Sequence, residues 1–131
     1  MSTLKIKKLH ENAVIPQRAT SGSAGMDLYA VLDEPITLKQ GETALIPTGI
    51  AIALESPSEA AFIFPRSGLS IKHGIGLLNS VGVIDSDYRG EVIVCLTNDS
   101  QEVRVITPRQ RIAQLIIQPY LDYDWEVANT L

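Results

Sequence analysis

Short extended runs separated by turn-forming residues make up most of this chain. Roughly ten such runs recur at near-regular spacing, and Gly, Pro, Asn and Asp lie between many of them. No 3.6-residue apolar period continues over three turns of the sequence. This pattern is typical of an antiparallel all-β sandwich or barrel. The runs predicted as strands are 4–7, 24–31, 36–39, 43–46, 50–54, 60–64, two runs within 74–91, 92–97, 103–106, 112–118 and 123–127.

One segment, 67–72, is predicted as a short helix. Ser67 stands where an N-cap is expected, and Gly74 follows directly after the helical stretch. The 131 residues contain no linker, no fixed-period repeat and no low-complexity tract. We therefore expect residues 1–131 to form a single domain.

Charge and composition exclude several classes of function. The net charge of -4 argues against general binding to nucleic acid, which requires a basic surface. No segment approaches the roughly 18 apolar residues that span a bilayer, so we expect no membrane insertion. Cys95 is the only cysteine, which suits a reducing compartment such as the cytoplasm, or the nucleus in a eukaryote. Because Cys95 lies in an apolar run, we expect it to be a buried packing residue.

The stretch 74–91 is the first candidate for a functional site. It is predicted as a hairpin, with Asn79 and Ser80 in the turn and glycines that leave the backbone accessible to a flat, polar ligand. A carboxylate, an aromatic ring and a guanidinium follow within 85–89. The alternative interpretation is a surface turn whose charges are solvated.

Three further stretches place polar groups where they need partners. Asp27 lies in an otherwise apolar strand, and so does Gln114. Residues 66–68 place a cation, a hydroxyl and a glycine at a helix start, which is a favourable site for an anion. The alternatives are an ordinary helix cap beside a surface arginine, and a Gln114 that faces solvent on an edge strand. His73 is expected at the end of the helix, where a cation is favourable.

These stretches together resemble the homotrimeric deoxyuridine triphosphate nucleotidohydrolases (dUTPases). Any one of the motifs is weak evidence, but four of them in the family's order and spacing are highly specific. The matching motifs are A-G-M-D-L-Y-A at 24–30, P-R-S-G-L-S-I-K-H-G-I at 65–75, N-S-V-G-V-I-D-S-D-Y-R-G-E at 79–91 and R-I-A-Q-L-I at 111–116.

The resemblance implies a fold, an assembly and a reaction. The fold would be a jelly-roll-like, distorted β-barrel, and three subunits would share active sites at their interfaces. The reaction would be Mg²⁺-dependent hydrolysis of dUTP to dUMP and pyrophosphate. Asp85 would be the general base that activates the attacking water, and Asp27 would act on the metal through water. Spacing alone does not decide between Asp85 and Asp87 as the base.

The resemblance also implies a set of substrate contacts. The 79–85 hairpin would bind the uracil edge through its backbone and the Asn79 amide, and Tyr88 would stack beneath the deoxyribose. The phosphate oxygens would be held by Ser67, Gly68 and Gln114, with Arg66 adding positive charge. The remaining residues expected at the substrate are Gly82, Val83, Ile84 and Ile93.

The chain departs from the family pattern at two places. The glycine-rich C-terminal arm that closes over the triphosphate in this family is not present in residues 1–131. Three explanations stand: a tail omitted from this chain, a truncation, or a family member that binds nucleotide but barely hydrolyses it. Without the arm, we expect binding to persist and turnover to fall steeply. The fourth motif is preceded by Arg109-Gln110, where the family commonly has Gly-Glu.

Two other functions compete with dUTP hydrolysis. One is dCTP deamination, because the dCTP deaminases share this fold, although the run I-D-S-D-Y-R-G at 84–90 speaks against it. The other is a trimeric nucleotide-binding module with weak or no catalysis, because the closing arm is missing. A Ser67–His73–Asp85 triad has no support in the spacing of these residues.

Overall fold

The computed structural model describes residues 3–131 and confirms the predicted all-β fold. Within that range the chain forms eleven strands and one short helix. The predicted helix and the first eleven predicted strands, up to 112–118, all occur, with ends shifted by one or two residues. The elements are β1 Lys5–Lys8, β2 Met26–Tyr29, β3 Ile36–Leu38, β4 Thr43–Pro47, β5 Ile50–Ala53, β6 Glu59–Phe64, α1 Ser67–His73, β7 Ile75–Leu77, β8 Gly82–Ile84, β9 Ile93–Asn98, β10 Arg104–Ile106 and β11 Arg111–Pro119.

All strand pairs are antiparallel, and the strands form two larger sheets and two pairs. The larger sheets have the orders β2-β11-β6-β8 and β4-β9-β7, and the pairs are β1-β5 and β10-β3. Few neighbours in a sheet are neighbours in sequence, which is the connectivity of a jelly-roll-like fold. The nine-residue strand β11 lies between β2 and β6 and therefore joins the first, second and fourth motifs.

One apolar core lies between the sheets. Its largest members, among them Leu28, Ile46, Ile50 and Leu96, are fully buried. Burial of each such side chain stabilises the fold by about 1.5–3 kcal/mol. Asn98 and Thr48 are polar residues that are also fully buried. The Asn98 amide nitrogen donates to the carbonyls of residues 38 and 102, and its oxygen accepts two hydrogen bonds from residue 100. The core is thereby stable enough to hold the surface turns that follow β8 and precede β11.

The predicted hairpin within 74–91 is wrong in its pairing. β7 pairs with β9, whereas β8 pairs with β6 in the other sheet. The turn chemistry was predicted correctly, because Ser80 adopts a positive φ of 65° and donates its N–H to the Leu77 carbonyl at 3.0 Å. β7 and β8 have only three residues each, and each forms more ladder hydrogen bonds with its six-residue partner than it would with the other. The turn between β7 and β8 therefore connects the two sheets.

The predicted N-cap at Ser67 is also wrong. Arg66, with extended backbone, is the residue before the helix, and it makes no side-chain cap. Ser67 is already helical, so its hydroxyl lies past the capping position. The C-terminal end agrees with the prediction, because Gly74 is left-handed and its N–H bonds the last turn. His73 lies in that last turn, as expected.

The two ends of the described chain are more exposed than predicted. All residues of β1 are exposed, so the first strand is not half-buried. The predicted strand 123–127 does not form, and residues 120–131 carry neither helix nor strand. We call residues 121–131 the C-terminal segment. Its apolar side chains alternate with acidic ones and are highly exposed: Leu121, Tyr123, Trp125 and Val127.

Candidate active site

A cleft of about 230 Å³ lies where β8 ends and β9 begins. Both strands contribute side chains to it from one side, and the turn after β8 closes the other. Every residue predicted from the third motif lines this cleft, and so does Ile93. These residues are Asn79, Gly82, Val83, Ile84, Asp85, Tyr88 and Ile93.

The glycine at 82 brings the backbone of β8 close to its neighbours. A Cβ at this position would lie 3.1 Å from Cβ of Ile63 and 3.5 Å from the Asn79 amide nitrogen. A side chain there would therefore crowd both the sheet and the amide that is predicted to bind the base. The Asn79 backbone is held in turn by its carbonyl, which accepts the Val81 N–H at 2.7 Å.

Asp85 is the first residue after β8, and its carboxylate is exposed. Within residues 3–131 this carboxylate has no ion pair and accepts no hydrogen bond. Its backbone is nevertheless fixed, since β8 precedes it and its carbonyl accepts the Tyr88 N–H at 3.1 Å. A carboxylate that is free of partners and held on a rigid backbone is able to accept a proton from a bound water. Asp87 is exposed too, but it does not line the cleft.

The Tyr88 ring is oriented by contacts on both sides. Its hydroxyl donates to the Glu91 carbonyl at 2.7 Å. Gly90 leaves room for the ring, since a Cβ on Gly90 would come within 2.7 Å of Tyr88 Cζ. The ring is 44% exposed and forms part of the cleft wall, so its face is available to a flat or puckered ligand ring.

Arg89 braces the turn that carries Asp85 and Tyr88. Its Nη1 donates to the carbonyls of Ser86 at 2.7 Å and Tyr88 at 3.0 Å. Its Nη2 donates to the carbonyl of Leu54, just after β5, at 3.3 Å. The Arg89 guanidinium therefore connects the turn after β8 to the rest of the domain through hydrogen bonds.

Sequence reasoning missed several residues of the cleft. Glu91 lines it, and its Oε2 accepts the Gly49 N–H at 2.9 Å, which explains why an acid follows the turn. Cys95 is half-buried at the cleft rather than buried in the core. Ile63 and Leu77 are apolar residues whose periodicity indicated core packing alone. Only the position of Glu91, next to the third-motif turn, carried a usable signal.

A second polar group is built on β2, β11 and the start of α1. Asp27 is buried, and its carboxylate pairs with Arg66 Nε at 3.1 Å and with Arg111 Nη1 at 3.5 Å. Gln114 lies opposite Asp27 in the ladder and donates from Nε2 to the Pro65 carbonyl at 2.9 Å. β11 is an interior strand, so Gln114 does not face solvent from an edge.

The structure keeps the two predicted groups apart within one chain. Ser67 and Gly68 are exposed at the start of α1, next to the Asp27–Arg66 pair. None of the residues predicted to hold phosphate lines the cleft at β8. The residues expected to bind the base and sugar therefore lie in a different place on the subunit from those expected to bind the phosphates.

The described acidic residues do not form a metal cage, so a metal at this site would be bound mainly by the nucleotide and water. Residues 3–131 contain no group of three or more His, Cys, Asp or Glu side chains arranged to bind a metal ion. Both oxygens of Asp27 face arginines, so direct metal ligation by Asp27 is disfavoured and its role through water stays a prediction.

Among residues 3–131, no helix has the length and apolarity that a membrane crossing requires.

Comparisons with known proteins agree with this fold and identify the family. The family model described as dUTPase matches residues 11–131. The chain is 49% identical to a deoxyuridine 5'-triphosphate nucleotidohydrolase of Paraburkholderia xenovorans, with 96% of this chain and 85% of the relative covered. It is 51% identical to a protein of the same name from Hahella chejuensis, with 94% and 81% covered.

Solved structures show the same architecture. A mutant dUTPase from phage phi11 of S. aureus, described with a structural Mg(II) ion, superposes with a TM-score of 0.88 at 22% identity and covers 99% of both chains. A mutant dUTPase of Staphylococcus bacteriophage 80alpha with dUpNHpp gives a TM-score of 0.84 at 24% identity, with 100% of this chain and 90% of that chain covered. From its matched family model and its close relatives, the chain belongs to the dUTPase family.

Proposed function

We propose that this protein is a dUTP diphosphatase, which hydrolyses dUTP to dUMP and pyrophosphate. Membership of the dUTPase family and relatives of that name at about half identity over most of the chain support the reaction. The observation that carries the mechanism is the Asp85 carboxylate, which lines the cleft and is free of other partners in residues 3–131.

Asp85 acts as the general base in this proposal. It accepts a proton from the water that attacks the α-phosphorus, and the pyrophosphate group leaves on the opposite side. Hydrolysis of a phosphoanhydride needs a positioned water and neutralised charge rather than a protein nucleophile. The short span between β8 and the Arg89 brace keeps the carboxylate in one place, which favours an in-line attack.

The cleft selects a deoxyuridine nucleotide in this proposal. The Asn79 amide and the backbone of Gly82, Val83 and Ile84 pair with the uracil edge, and the same backbone excludes a thymine methyl. The Tyr88 ring stacks beneath the deoxyribose and excludes a 2′-hydroxyl. Ile93, on the opposite wall, contributes apolar contact.

The phosphates are bound by a neighbouring subunit in this proposal. Arg66, Ser67, Gly68 and Gln114 form one half-site and the cleft forms the other, so a complete site needs two copies of the chain in a homotrimer. The exposed apolar side chains of the C-terminal segment support such an assembly, since a partner's surface would remove them from water.

A magnesium ion fits the phosphate end of the site. Phosphate oxygens and water are the ligands that Mg²⁺ prefers, and they reduce the need for a dedicated protein cage. When bound, the ion supplies charge that neutralises the triphosphate. Asp27, held between Arg66 and Arg111, orients water toward that ion in this proposal. The substrate places the enzyme with the deoxynucleotide pool in the cytoplasm, and no nucleic-acid or membrane partner is required.

The test compares two nucleotides and two aspartates. The wild-type chain is incubated with dUTP and with dCTP, and pyrophosphate and ammonia are assayed. We expect pyrophosphate from dUTP alone. Asp85→Asn should lower kcat by about 10²–10⁴-fold and retain dUTP binding, because only the base is lost. Asp87→Asn is the matched control and should keep most of the activity.

Other outcomes would overturn the proposal. Ammonia from dCTP would indicate a deaminase, and binding of dUTP without either product would indicate a nucleotide-binding module. Turnover by Asp85→Asn at the wild-type rate would refute the role of Asp85 as base.

A further inference from the structure

A recess between α1 and the turn that precedes β11 concentrates positive charge. It has a volume of about 520 Å³, and its lining contains five basic side chains: Arg66, Lys72, His73, Arg109 and Arg111. No acidic residue among residues 3–131 lines it. We call it the cationic recess. In a chain with a net charge of -4, such a local surface is unusual and attracts anions.

Of the four lysine and arginine side chains in this lining, two have an acidic partner and two do not. Asp27 pairs with Arg66 and Arg111 from beneath the recess. Lys72 and Arg109 are exposed, and within the described residues their side chains make no ion pair and no hydrogen bond. Their charge is therefore available to a ligand in the recess.

The backbone at Arg109 is held in a conformation that suits glycine. Its φ is 63°, in the left-handed region that a residue with a Cβ rarely adopts. The turn enforces it, because the Arg109 N–H bonds the Ala30 carbonyl at 2.8 Å and the Gln110 side chain accepts the Thr107 N–H at 2.9 Å. A disfavoured backbone conformation that the surrounding structure maintains often occurs at functional sites.

We propose that the cationic recess binds a pyrophosphate-class anion and that Arg109 is the residue that strengthens this binding. The inference rests on the proposed function in one respect, since pyrophosphate is the product of that reaction. Arg66 and Gly68 line the recess and also belong to the proposed phosphate half-site. Lys72 and Arg109 add two further basic side chains to the lining beyond the proposed phosphate half-site.

The experiment measures pyrophosphate binding by titration calorimetry, together with urea unfolding. Arg109→Gly should weaken pyrophosphate binding roughly tenfold, as expected for loss of one charge-assisted contact. The same variant should be as stable as the wild type or more stable, because glycine adopts this φ without strain. A structural role for Arg109 predicts the opposite change in stability. Arg109→Lys keeps the charge and should retain most of the affinity.

Lys39→Gln is the matched control, since it removes an exposed cation outside the recess and should leave pyrophosphate binding unchanged. The proposal fails if the wild type does not bind pyrophosphate, if Arg109→Gly binds it as tightly, or if Lys39→Gln weakens it equally. The dUTP assay of the wild type separates this inference from the proposed function. If the wild type binds pyrophosphate through Arg109 but releases none from dUTP, the recess is sustained and the hydrolase is refuted.

Discussion

Gly25 determines where the Gln114 side chain lies. A Cβ at position 25 would overlap Oε1 of Gln114 and would lie 3.0 Å from its Cβ. The buried backbone of residue 25 therefore presses the amide toward the Pro65 carbonyl, to which Gln114 donates. A glycine of the first motif and a glutamine of the fourth therefore form one packing unit.

We predict that Gly25→Ala damages both the site and the fold. The added methyl must displace the Gln114 side chain, and overpacking of this kind costs about 1–3 kcal/mol. If Gln114 holds phosphate, kcat/KM for dUTP should fall by about 10–100-fold, corresponding to one lost charge-assisted bond. Steady-state kinetics and urea unfolding measure the two effects.

Gly22→Ala provides the control for this substitution. Gly22 is exposed and has no neighbouring atom within 4 Å of an added Cβ, so its replacement should change neither quantity. Equal kinetics and equal unfolding free energies for the two alanine variants would refute the packing argument.

The sequence predicted the role of a residue where a polar side chain interrupted an apolar strand. An acid in an apolar strand indicated a buried partner, and Asp27 indeed pairs with two arginines. The sequence did not reveal Arg111 as one of them, because that contact depends on β2 and β11 being neighbours. The bond from the Glu91 carboxylate to the Gly49 N–H was missed for the same reason, since 42 positions separate the two residues.

The turn that follows β8 depends on Arg89. Three carbonyls from two separate parts of the chain accept from one guanidinium, which donates from two separate nitrogens in a fixed plane. An ammonium has all its donors on one nitrogen and does not span the same acceptors. We predict that Arg89→Ala lowers kcat for dUTP about tenfold or more, because a 1 Å displacement of a catalytic group has effects of that size. Arg89→Lys should recover little of the loss.

Arg18→Ala is the matched control for the brace. Arg18 also donates to a backbone carbonyl, that of Ser23 at 3.0 Å, but it lies in an exposed loop and does not line the cleft. Its loss should leave kcat unchanged. If Arg89→Ala kept the wild-type kcat with the same KM, the turn would be held by other contacts.

Strand existence was predictable at the level of elements, whereas strand pairing was not. Alternation and turn residues located eleven of the twelve predicted strands, because those signals are local. The runs on either side of Asn79 looked like a hairpin, but β6 and β9 each offer a longer edge. The apolar alternation of residues 123–127 also resembles a strand, yet a ladder needs a partner, and a single chain provides none for it.

The two half-sites make a prediction about the whole assembly. Asp85→Asn and Gln114→Ala should each be almost inactive as homotrimers. If each site takes Asp85 from one subunit and Gln114 from another, co-refolding equal amounts of the two variants should restore about a quarter of wild-type activity, since that share of sites combines two intact halves. Activity is measured with dUTP after mixing.

Two controls accompany this complementation. The variants mixed without unfolding should stay inactive, and a chain that carries both substitutions should give no recovery with either single variant beyond its own background. Absence of recovery after co-refolding, with trimers demonstrated by light scattering, would mean that each subunit holds a complete site.

The C-terminal segment has a consequence for the life of a newly made subunit. Trp125 and Val127 are each 98% exposed, and their backbone groups form no ladder within the chain. An unpaired ribbon of this kind adheres to other unpaired edges. In the proposed homotrimer, this exposure ends when the subunits assemble. A subunit that has not yet met its partners would bind chaperones or aggregate, so the yield of the enzyme would depend on how quickly its copies associate.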